Sequence, residues 1–374
     1  MKDYLIAGGG ICGIASALGI AKAGQSARVF EQAETFEELG AGLQMSPNAV
    51  RALQYLGAWD ALAPLCCAPN DIHIRDGISG RTLKRIALGG SFERRFGAPY
   101  RVAHRADLLR ALIETARQSP RVTLESRKRV LAARGQTEGA SLDFEGCQRA
   151  SGTAVIACDG IHSKLRLSIH PDSAPRDSGL ILWRALIPTA LAPNTIDPEA
   201  VCLWLRPGGH TVHYAVSGGR YISVVHVSQA HGSTARILPS FQGLPDNLSA
   251  FLSLAENWQS WPGLDLDPLS DWTAPWGMML GDATHATLPF LAQGAAMALE
   301  DACVLSKHVE AKAPLAGVAA IRRERTASVQ LHSRRQGKIY HAGGLLSRAR
   351  NLTMAALTQE RFLSRLAWLY DWRP

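Results

Sequence analysis

The alternation of apolar and polar positions near the start of the chain predicts a strand, a helix and a second strand. Residues 4–7 form a short apolar run, a glycine-rich turn follows, and an Ala-, Leu- and Ile-rich stretch then ends at Gly24. A second apolar run over residues 27–30 stops at Glu31. Short apolar runs separated by a helical segment are typical of parallel strands in an α/β sheet. The pattern therefore predicts a βαβ unit.

The glycines of that turn have the spacing that a dinucleotide pyrophosphate requires. Gly8 permits the tight turn, Gly10 lets the backbone approach the phosphates, and Gly13 lets helix and strand pack closely. The N-terminus of the helix supplies N–H donors and a positive dipole to such phosphates. Glu31 follows Gly13 by 18 residues, where an acid at the end of the second strand accepts ribose hydroxyls. The unit alone leaves open which dinucleotide binds.

Two helices in the same region are marked by their ends. Ser46 is the expected N-cap of the first, with Pro47 at its first position and Gly57 as its C-cap. The second is predicted over residues 100–115, where apolar residues recur at helical spacing and Arg105 stands near the start.

The hydrophobic pattern changes character further along. Residues 71–92 indicate a hairpin, and residues 179–230 alternate apolar and polar positions between Gly-rich turns, which is typical of an antiparallel sheet. From Gly294 onward the pattern is mostly helical. We therefore predict an α/β fold in which a Rossmann-like dinucleotide-binding domain carries an inserted, largely antiparallel β-sheet domain for the substrate, followed by C-terminal helices. The predicted limits are 1–70, 100–178 and 272–330 for the first domain, 71–99 and 179–271 for the second, and 331–374 for the helical segment.

Composition narrows the functional classes. The chain has 374 residues and seven cysteines with no C-x-x-C pair, so we expect no metal site and a reducing, cytoplasmic location. It holds no apolar run of the ~18 residues that a membrane helix needs. Lys and Arg number 40 against 32 Asp and Glu, a net charge of +8 concentrated late in the chain. Because no nucleic-acid module is recognisable, we interpret this excess as a solvated helical face, although steering of an anionic small molecule also fits.

Two later motifs follow apolar strands as the glycine turn does. Asp159-Gly160 comes after the run TAVIA, and Gly281-Asp282 comes after WGMML and before the helix at Gly294. Ligand contacts in open α/β sheets lie at such strand ends. In this order the three motifs resemble those of the FAD-dependent aromatic hydroxylases, the single-component flavoprotein monooxygenases that include salicylate and 3-hydroxybenzoate hydroxylases. The resemblance covers nearly the whole chain and includes GAGLQMSPNAVRAL at 40–53, AHRADLL at 103–109, CDGIHSKLR at 158–166, WRALIP at 183–188 and GDATHATLPFLAQGAAMALEDA at 281–302.

The resemblance implies that residues from all three motifs bind FAD. The implied contacts are Val130 with the adenine, Glu31 and Gln32 with the adenosine ribose, Gly8, Gly10, Ile11, Cys12 and Gly13 with the pyrophosphate, Arg105 with the phosphate or ribityl side, Gly281 and Asp282 with the ribityl hydroxyls, and Gly294 and Ala295 with the pyrimidine end of the isoalloxazine. A helix N-terminus suits that end because reduced flavin is anionic. Asp159 matches a position that serves both FAD and NAD(P)H, and capping of the following turn is the alternative. No second nucleotide-binding βαβ unit is recognisable, so NAD(P)H is expected to bind transiently.

Two residues of one strand are implied at the reacting ring. On an extended strand over residues 210–216, His210 and Tyr214 share one face, whereas Thr211 and His213 occupy the other. In the family a tyrosine is common at the position of Tyr214, and some members have a histidine four residues earlier that deprotonates the phenol. A base with a pKa near ~6.5 suits that step. Exposure of His210 in a solvated turn is the alternative.

The other candidate substrate residues are less distinct. Pro289 matches a position beside the flavin where a backbone carbonyl orients a substrate hydroxyl, although some hydroxybenzoate hydroxylases have Gln there. No arginine stands out as the partner of a substrate carboxylate, because Arg101, Arg184 and Arg206 are all candidates.

The expected function is an NAD(P)H- and O2-dependent FAD monooxygenase that hydroxylates a small aromatic or heteroaromatic compound, a phenolic acid, through a flavin C4a-hydroperoxide. Two alternatives stay open. One is the same chemistry on a bulkier polycyclic or antibiotic-like substrate, and the other is a non-catalytic flavin-binding redox or membrane-surface protein. We expect a monomer or homodimer whose partners are the aromatic substrate and O2, with no nucleic acid and no integral membrane segment.

Overall fold

The computed structural model describes residues 2–36, 42–230 and 238–374, so Gly40 and Ala41 of the GAGLQMSPNAVRAL motif lie outside the described residues. The strands are β1 (Tyr4–Ala7), β2 (Ala27–Phe30), β3 (Gly42–Met45), β4 (Asp71–Asp76), β5 (Thr82–Ala87), β6 (Arg101–His104), β7 (Val122–Glu125), β8 (Val130–Gln136), β9 (Gly139–Phe144), β10 (Arg149–Gly152), β11 (Val155–Ala157), β12 (Arg176–Pro188), β13 (Ala200–Arg206), β14 (Gly209–Val216), β15 (Tyr221–Gln229), β16 (Gln259–Asp265), β17 (Thr273–Ala274) and β18 (Gly277–Met279). The helices are α1 (Ile11–Lys22), α2 (Pro47–Leu56), α3 (Trp59–Leu62), α4 (Gly90–Phe96), α5 (Arg105–Gln118), α6 (Asp246–Leu252), α7 (Asp282–His285), α8 (Gly294–Glu310), α9 (Ala316–Tyr340), α10 (Gly344–Ala356) and α11 (Gln359–Tyr370).

A six-stranded sheet in the order β17-β18-β11-β1-β2-β7 holds the strand-end motifs. Its central strand β1 runs parallel to β2 and β11, and β17–β18 is an antiparallel edge pair. Leu5, Ile6 and Ala7 are fully buried, and burial on both faces explains why β1 is continuously apolar rather than alternating. Ala7 pairs with Ala157, and Ala157 pairs with Met279. Three parallel strands therefore end at the same level of one sheet edge.

A seven-stranded sheet in the order β16-β12-β15-β14-β13-β4-β5 is built from two separate stretches of the chain. Its pairs are antiparallel except for β13 with β4. The predicted α/β class with an inserted, largely antiparallel sheet is confirmed, while the domain limits remain a prediction.

Edge strand β16 comes from a Trp- and Pro-rich stretch for which the sequence predicted no strand. It pairs with β12, where Trp261 lies opposite Leu182.

Local details differ from the sequence prediction at two helix starts. Residues 101–104, expected to be helical, instead form β6 and pair with β3, and the helix begins at Arg105. The reason is burial, because Val102 and Ala103 are almost fully inaccessible inside the two-stranded pair. Ser46 does precede α2 in an extended conformation, but its hydroxyl donates to Asn48 Oδ1 at 2.6 Å rather than accepting from the helix backbone.

Helix α9 corrects the interpretation of the late basic residues as a solvated face for Arg322 and Arg334, whereas Arg323, Arg335 and Lys338 on the same helix are exposed as expected. Arg334 binds Asp265 at 2.6 Å, and Arg322 is fully inaccessible. These cations are held by buried carboxylates, which a linear charge pattern does not reveal. Helix α11 then carries Tyr370 to the rings of Phe92 and Phe96 beside the second sheet.

Among the described helices, none is both long and apolar enough to cross a lipid bilayer.

Candidate active site

The three strand-end motifs come into direct contact with one another. A Cβ atom on Gly8 would lie 2.3 Å from the carbonyl oxygen of Cys158, and one on Gly281 would lie 2.7 Å from Cys12 Sγ. Both glycines also have positive φ angles, of 104° and 63°. Side chains do not pack that closely and rarely adopt such angles, so glycine is required at both positions. Motifs from distant parts of the chain thus meet at the carboxyl edge of β1, β11 and β18.

The glycine turn is compact, as its predicted role requires. A Cβ on Gly13 would stand 1.9 Å from the carbonyl oxygen of Gly8. Gly10 is the extended residue before α1, and Ile11 begins the helix. A hydrogen bond to a neighbouring thiol, together with burial, raises the pKa of Cys12 well above its usual value. Cys12 therefore acts as a small inert residue in the turn.

Glu31 closes the turn from the second strand. Its Oε2 accepts a hydrogen bond from the Gly9 N–H at 2.7 Å, and its Oε1 accepts one from the Ala33 N–H at 2.9 Å. The carboxylate is half-buried, Gln32 is exposed, and Val130 is half-buried at the start of β8. Glu31, the residue predicted to bind the adenosine ribose, therefore lies at the glycine turn and accepts a hydrogen bond from its backbone.

Asp159 has one engaged and one unengaged carboxylate oxygen. Oδ2 accepts hydrogen bonds from the N–H groups of Lys164 at 3.1 Å and Leu165 at 3.4 Å. Asp159 therefore does cap the turn that follows it, which was the alternative role considered above. Oδ1 is buried and has no partner among the described residues. Burial raises the pKa of this carboxyl, against the hydrogen bonds that lower it. A buried oxygen without a partner beside the glycine turn is what a missing polar ligand would leave.

A buried ionic network supports the third motif. Asp301 Oδ2 accepts from the Gly281 N–H at 3.1 Å and lies 2.6 Å from His285 Nε2, while Oδ1 accepts from Arg322 Nε at 2.7 Å. Burial alone would raise the pKa of Asp301, but His285 and Arg322 hold it below its usual value. His285 is thus a buried hydrogen-bonding residue that holds the Asp301 carboxylate. The roles of Asp301 and Arg322 were missed, although two adjacent acids at 300–301 in an apolar helix are a usable signal.

The remaining predicted FAD residues surround the same edge. Asp282, the second residue of the third motif, is exposed. Gly294 and Ala295 are half-buried in the first turn of α8, whose leading N–H groups have no helical partner. Arg105 is half-buried at the start of α5, and its positive charge contributes to lowering the pKa of Arg184 after burial. Together with the close glycine contacts and the unpartnered Asp159 oxygen, this set fits FAD. The individual contacts remain predictions.

His210 and Tyr214 lie on the face of β14 that the strand period predicts. Tyr214 pairs with Ser223, and Val212 between them pairs with Val225. On the opposite face, Thr211 Oγ1 forms a hydrogen bond with His226 Nδ1 at 2.8 Å. His213 lies on that face too, where it packs on Trp204 and Phe251.

His210 is buried rather than exposed in a turn, so that alternative is wrong. Only 4% of the residue is accessible. Its Nδ1 lies 2.8 Å from His341 Nε2, and its ring contacts Phe290 and Tyr340 at centroid distances of 5.3 Å. Burial and nearby cationic groups lower the pKa of His210 well below its usual value. The histidine is therefore neutral near pH 7 and retains a ring nitrogen that can accept a proton, but its pKa lies below the value near 6.5 that was expected of the base.

Tyr214 and Pro289 are the other two candidate substrate residues. Burial raises the pKa of Tyr214, opposed by Arg184 and by a hydrogen bond with Gln44, so the phenol stays protonated. Gln44 Oε1 also accepts from the Tyr100 hydroxyl at 2.5 Å. Pro289 is exposed and begins a short 3₁₀ turn, directly before the ring that contacts His210.

The three arginines considered as partners of a substrate carboxylate lie in different places relative to Tyr214. Arg184 pairs with Val225 in the sheet and so shares the face of Tyr214. Its guanidinium lies over Trp261 at 4.9 Å, and Nε is buried without a partner among the described residues. Arg206 instead reaches the opposite face, where it bonds His226 Nε2 at 3.3 Å, and Arg101 donates to the Tyr100 carbonyl at 2.9 Å.

Comparison with known proteins agrees with this geometry. Residues 1–233 match the sequence profile of the family described as FAD binding domain. The 3-hydroxybenzoate 6-hydroxylase of Polaromonas naphthalenivorans (strain CJ2) is 34% identical over 98% of this chain and 95% of its own length. This chain belongs to the FAD-dependent aromatic hydroxylase family.

Two further relatives extend the comparison. The 6-hydroxynicotinate 3-monooxygenase of Bordetella bronchiseptica is 32% identical over 82% of each chain. The crystal structure of Klebsiella pneumoniae HpxO with FAD and uric acid superposes with a TM-score of 0.86 and 25% identity, covering 99% of this chain and 96% of that one. The hydroxylase is therefore an FAD-dependent monooxygenase, and the non-catalytic alternative is not supported.

Proposed function

We propose that this hydroxylase acts on a small aromatic or heteroaromatic carboxylic acid that carries a ring hydroxyl. The observation that carries the proposal is the grouping of His210, Tyr214 and Arg184 on one sheet face, a neutral base, a hydroxyl donor and a cation. The names of the relatives support it, because 3-hydroxybenzoate and 6-hydroxynicotinate each combine a carboxylate with a ring hydroxyl.

In this proposal the strand-end motifs hold the cofactor. The glycine turn receives the pyrophosphate on its N–H groups, Glu31 and Asp282 bind the ribose and ribityl hydroxyls, and the first turn of α8 faces the pyrimidine end of the flavin. Bound FAD, after reduction by NAD(P)H, supplies the activated oxygen.

His210 is the proposed base. Its Nδ1 is committed to His341, so Nε2 is the nitrogen that accepts the phenolic proton. Removal of that proton raises the electron density at the ring carbon that is hydroxylated. Tyr214 donates a hydrogen bond from its protonated phenol, and Pro289 offers its backbone carbonyl to the substrate hydroxyl. Positioned proton transfer of this kind contributes about 10²–10⁴-fold to a rate.

Arg184 is the proposed partner of the substrate carboxylate. It is a largely buried cation with an unused N–H group, and burial followed by the charge of Arg105 lowers its pKa. An anion placed beside two arginines relieves that repulsion and satisfies the unpartnered donor. A cytoplasmic location and a monomeric or homodimeric state belong to the same proposal.

A substrate panel tests the proposed function. FAD-loaded protein is mixed with NADH or NADPH and with 3-hydroxybenzoate, 6-hydroxynicotinate or 3-amino-4-hydroxybenzoate, and cofactor oxidation, O2 uptake and hydroxylated product are measured together. Benzoate and phenol, each lacking one of the two groups, are the matched controls. We expect product only from compounds that carry both groups. Equal turnover of phenol, or product from none of the acids, would contradict the proposal.

The base assignment has its own test. His210→Gln should lower the rate of product formation by about 10²-fold or more while leaving reduction of FAD by NAD(P)H within about twofold. Unchanged product per NAD(P)H oxidised would remove His210 from the mechanism.

A further inference from the structure

A histidine pair joins the substrate sheet to the end of the longest helix. His210 lies on β14 and His341 directly follows α9, and their rings stack with centroids 5.1 Å apart and planes inclined by 26°. The 2.8 Å separation of Nδ1 and Nε2 is a hydrogen bond. The backbone carbonyl of His341 also accepts from the Gly208 N–H at 3.0 Å, so the β13–β14 turn is docked on the same residue.

The surroundings of the pair do not favour a positive charge on His210. The charged and titratable groups that act on the two rings are Arg206 from β13, His226 from β15 and Arg350 from α10, all of them bases, and Tyr340 packs on His210 as a neutral ring. Phe290 covers the remaining side. A proton taken up by His210 therefore creates a buried imidazolium with no carboxylate among these groups, which is costly unless the charge moves on.

His341 is more accessible than His210, although burial, followed by the charges of Arg206 and Arg350, lowers its own pKa to about 4. It is half-buried rather than fully buried, and it caps the C-terminus of a 25-residue helix. The negative end of the helix dipole favours a cation there. Solvent reaches His341 more readily than His210, so a path through it leads outward.

We propose that His341 is a positioning residue that relays the substrate proton from His210 to solvent. The inference rests on the proposed function, in which His210 is the base.

The relay conserves protons and tautomers at each step. The phenol O–H bond breaks and a proton binds His210 Nε2, the His210 Nδ1–H proton passes to His341 Nε2, and the His341 Nδ1–H proton leaves to water. Both imidazoles end neutral, with their protons on Nε2. Passage in the opposite direction protonates the hydroxylated product and restores the starting tautomers.

The hydrogen bond can be tested without substrate. In FAD-loaded protein labelled with ¹⁵N-histidine, a ring N–H shared by the pair should give a downfield proton resonance protected from exchange. The resonance should be absent in both His341→Ala and His210→Gln, and present in His332→Ala. His332 is the matched control, because it lies exposed on the same helix, where it bonds the Ser328 carbonyl and contacts the Trp368 ring. Absence of such a resonance in the unaltered protein would overturn the proposal.

The relay itself is tested by stopped-flow mixing of oxidised holoenzyme with 3-hydroxybenzoate, or with 6-hydroxynicotinate if the first does not bind. Phenolate absorbance and proton release to a pH indicator are recorded. In His341→Ala and His341→Gln we expect dissociation constants within about threefold of the unaltered enzyme and phenolate formation slowed by about ten- to hundredfold. Added imidazole should restore the rate in His341→Ala but not in His341→Gln, whose side chain fills the site.

The outcomes separate the two proposals. If the unaltered enzyme forms no phenolate with either acid, the proposed function fails and the relay fails with it. If the unaltered enzyme forms phenolate and both His341 variants form it equally fast, the relay alone is overturned. A slow His341→Ala variant that imidazole does not rescue would indicate a structural role and would also overturn it.

Discussion

The carboxylate of Asp301 offers the sharpest test of how the third motif is held. Its two oxygens bind three groups, the Gly281 N–H, His285 Nε2 and Arg322 Nε, and all the side chains involved are at most 1% exposed. Asp301→Asn keeps the shape but replaces one acceptor oxygen by an N–H2 group. Whichever way the amide turns, a donor then faces either Arg322 or the Gly281–His285 side.

The expected cost follows from the burial of the network. Hydrogen bonds to charged groups contribute about 1.5–3 kcal/mol each, and removal of one partner from a buried ion pair costs about 3–5 kcal/mol. Arg322 retains Glu300, which it shares with Arg325, so the loss is partial. We therefore expect Asp301→Asn to lower the free energy of unfolding by about 3–5 kcal/mol. It should also weaken FAD binding, because Gly281 loses its acceptor whenever the amide N–H2 group turns to its side.

A matched control isolates burial from the change of charge. Glu125→Gln makes the same carboxylate-to-amide change in the Arg28–Glu125 pair, whose side chains are 32% and 25% exposed, and should cost less than about 1 kcal/mol. Urea unfolding of the FAD-free proteins compares the free energies without a contribution from cofactor release, and flavin fluorescence gives the FAD dissociation constant. If Asp301→Asn unfolds within about 1 kcal/mol of the unaltered protein, the network does not stabilise the motif as argued.

Three further predictions follow from the same geometry. Gly281→Ala should weaken FAD binding at least about tenfold, because the new Cβ atom would collide with Cys12. The control is Gly146→Ala, at a similarly positive φ of 81° but with open space around it; it should leave the FAD dissociation constant unchanged and lower the free energy of unfolding by only about 1–2 kcal/mol. Arg184→Gln should raise KM for 3-hydroxybenzoate by about ten- to hundredfold while Arg101→Gln stays within about twofold; equal effects would leave the carboxylate partner unassigned. Burial lowers the pKa of His213 and His226 from 6.5 to about 3, so the unfolded state binds more protons below pH 6.5. These two histidines should together lower the free energy of unfolding by about 2 kcal/mol per pH unit between pH 6.5 and 5, and His213→Phe should remove about half of that contribution in urea titrations.

The parts of this fold that the sequence predicted are those encoded by neighbouring residues. The βαβ unit, the glycine turn and the faces of β14 depend on periodicity and on conformations that only glycine adopts, both of which are visible within a few positions. The strand over residues 101–104 was missed for the opposite reason. Its partner lies some sixty residues earlier, and its four residues fit a helical stripe equally well.

The missed site residues depend on long-range contacts. His341 meets His210 across 131 positions, and Arg322 reaches Asp301 from the following helix. No local pattern distinguishes these side chains from the exposed basic residues around them. The choice of Arg184 over Arg206 likewise required the sheet register, because the two residues differ only in which face of the sheet they occupy.

The FAD part and the substrate part of the site therefore depend on different structural features. FAD recognition depends largely on backbone geometry, with glycines whose Cβ atoms would collide and a turn closed by Glu31, so few alternatives are tolerated there. In the proposed substrate site, recognition depends instead on side chains that project from a regular sheet face, where Arg184, Val212 and Val225 can change without altering any strand pairing. Substitutions on that face should redirect the hydroxylase among aromatic acids while FAD affinity stays constant. The position of the His210–His341 pair depends on both β14 and the end of α9. It is therefore the part of the proposed substrate site in which we expect least tolerance of substitution.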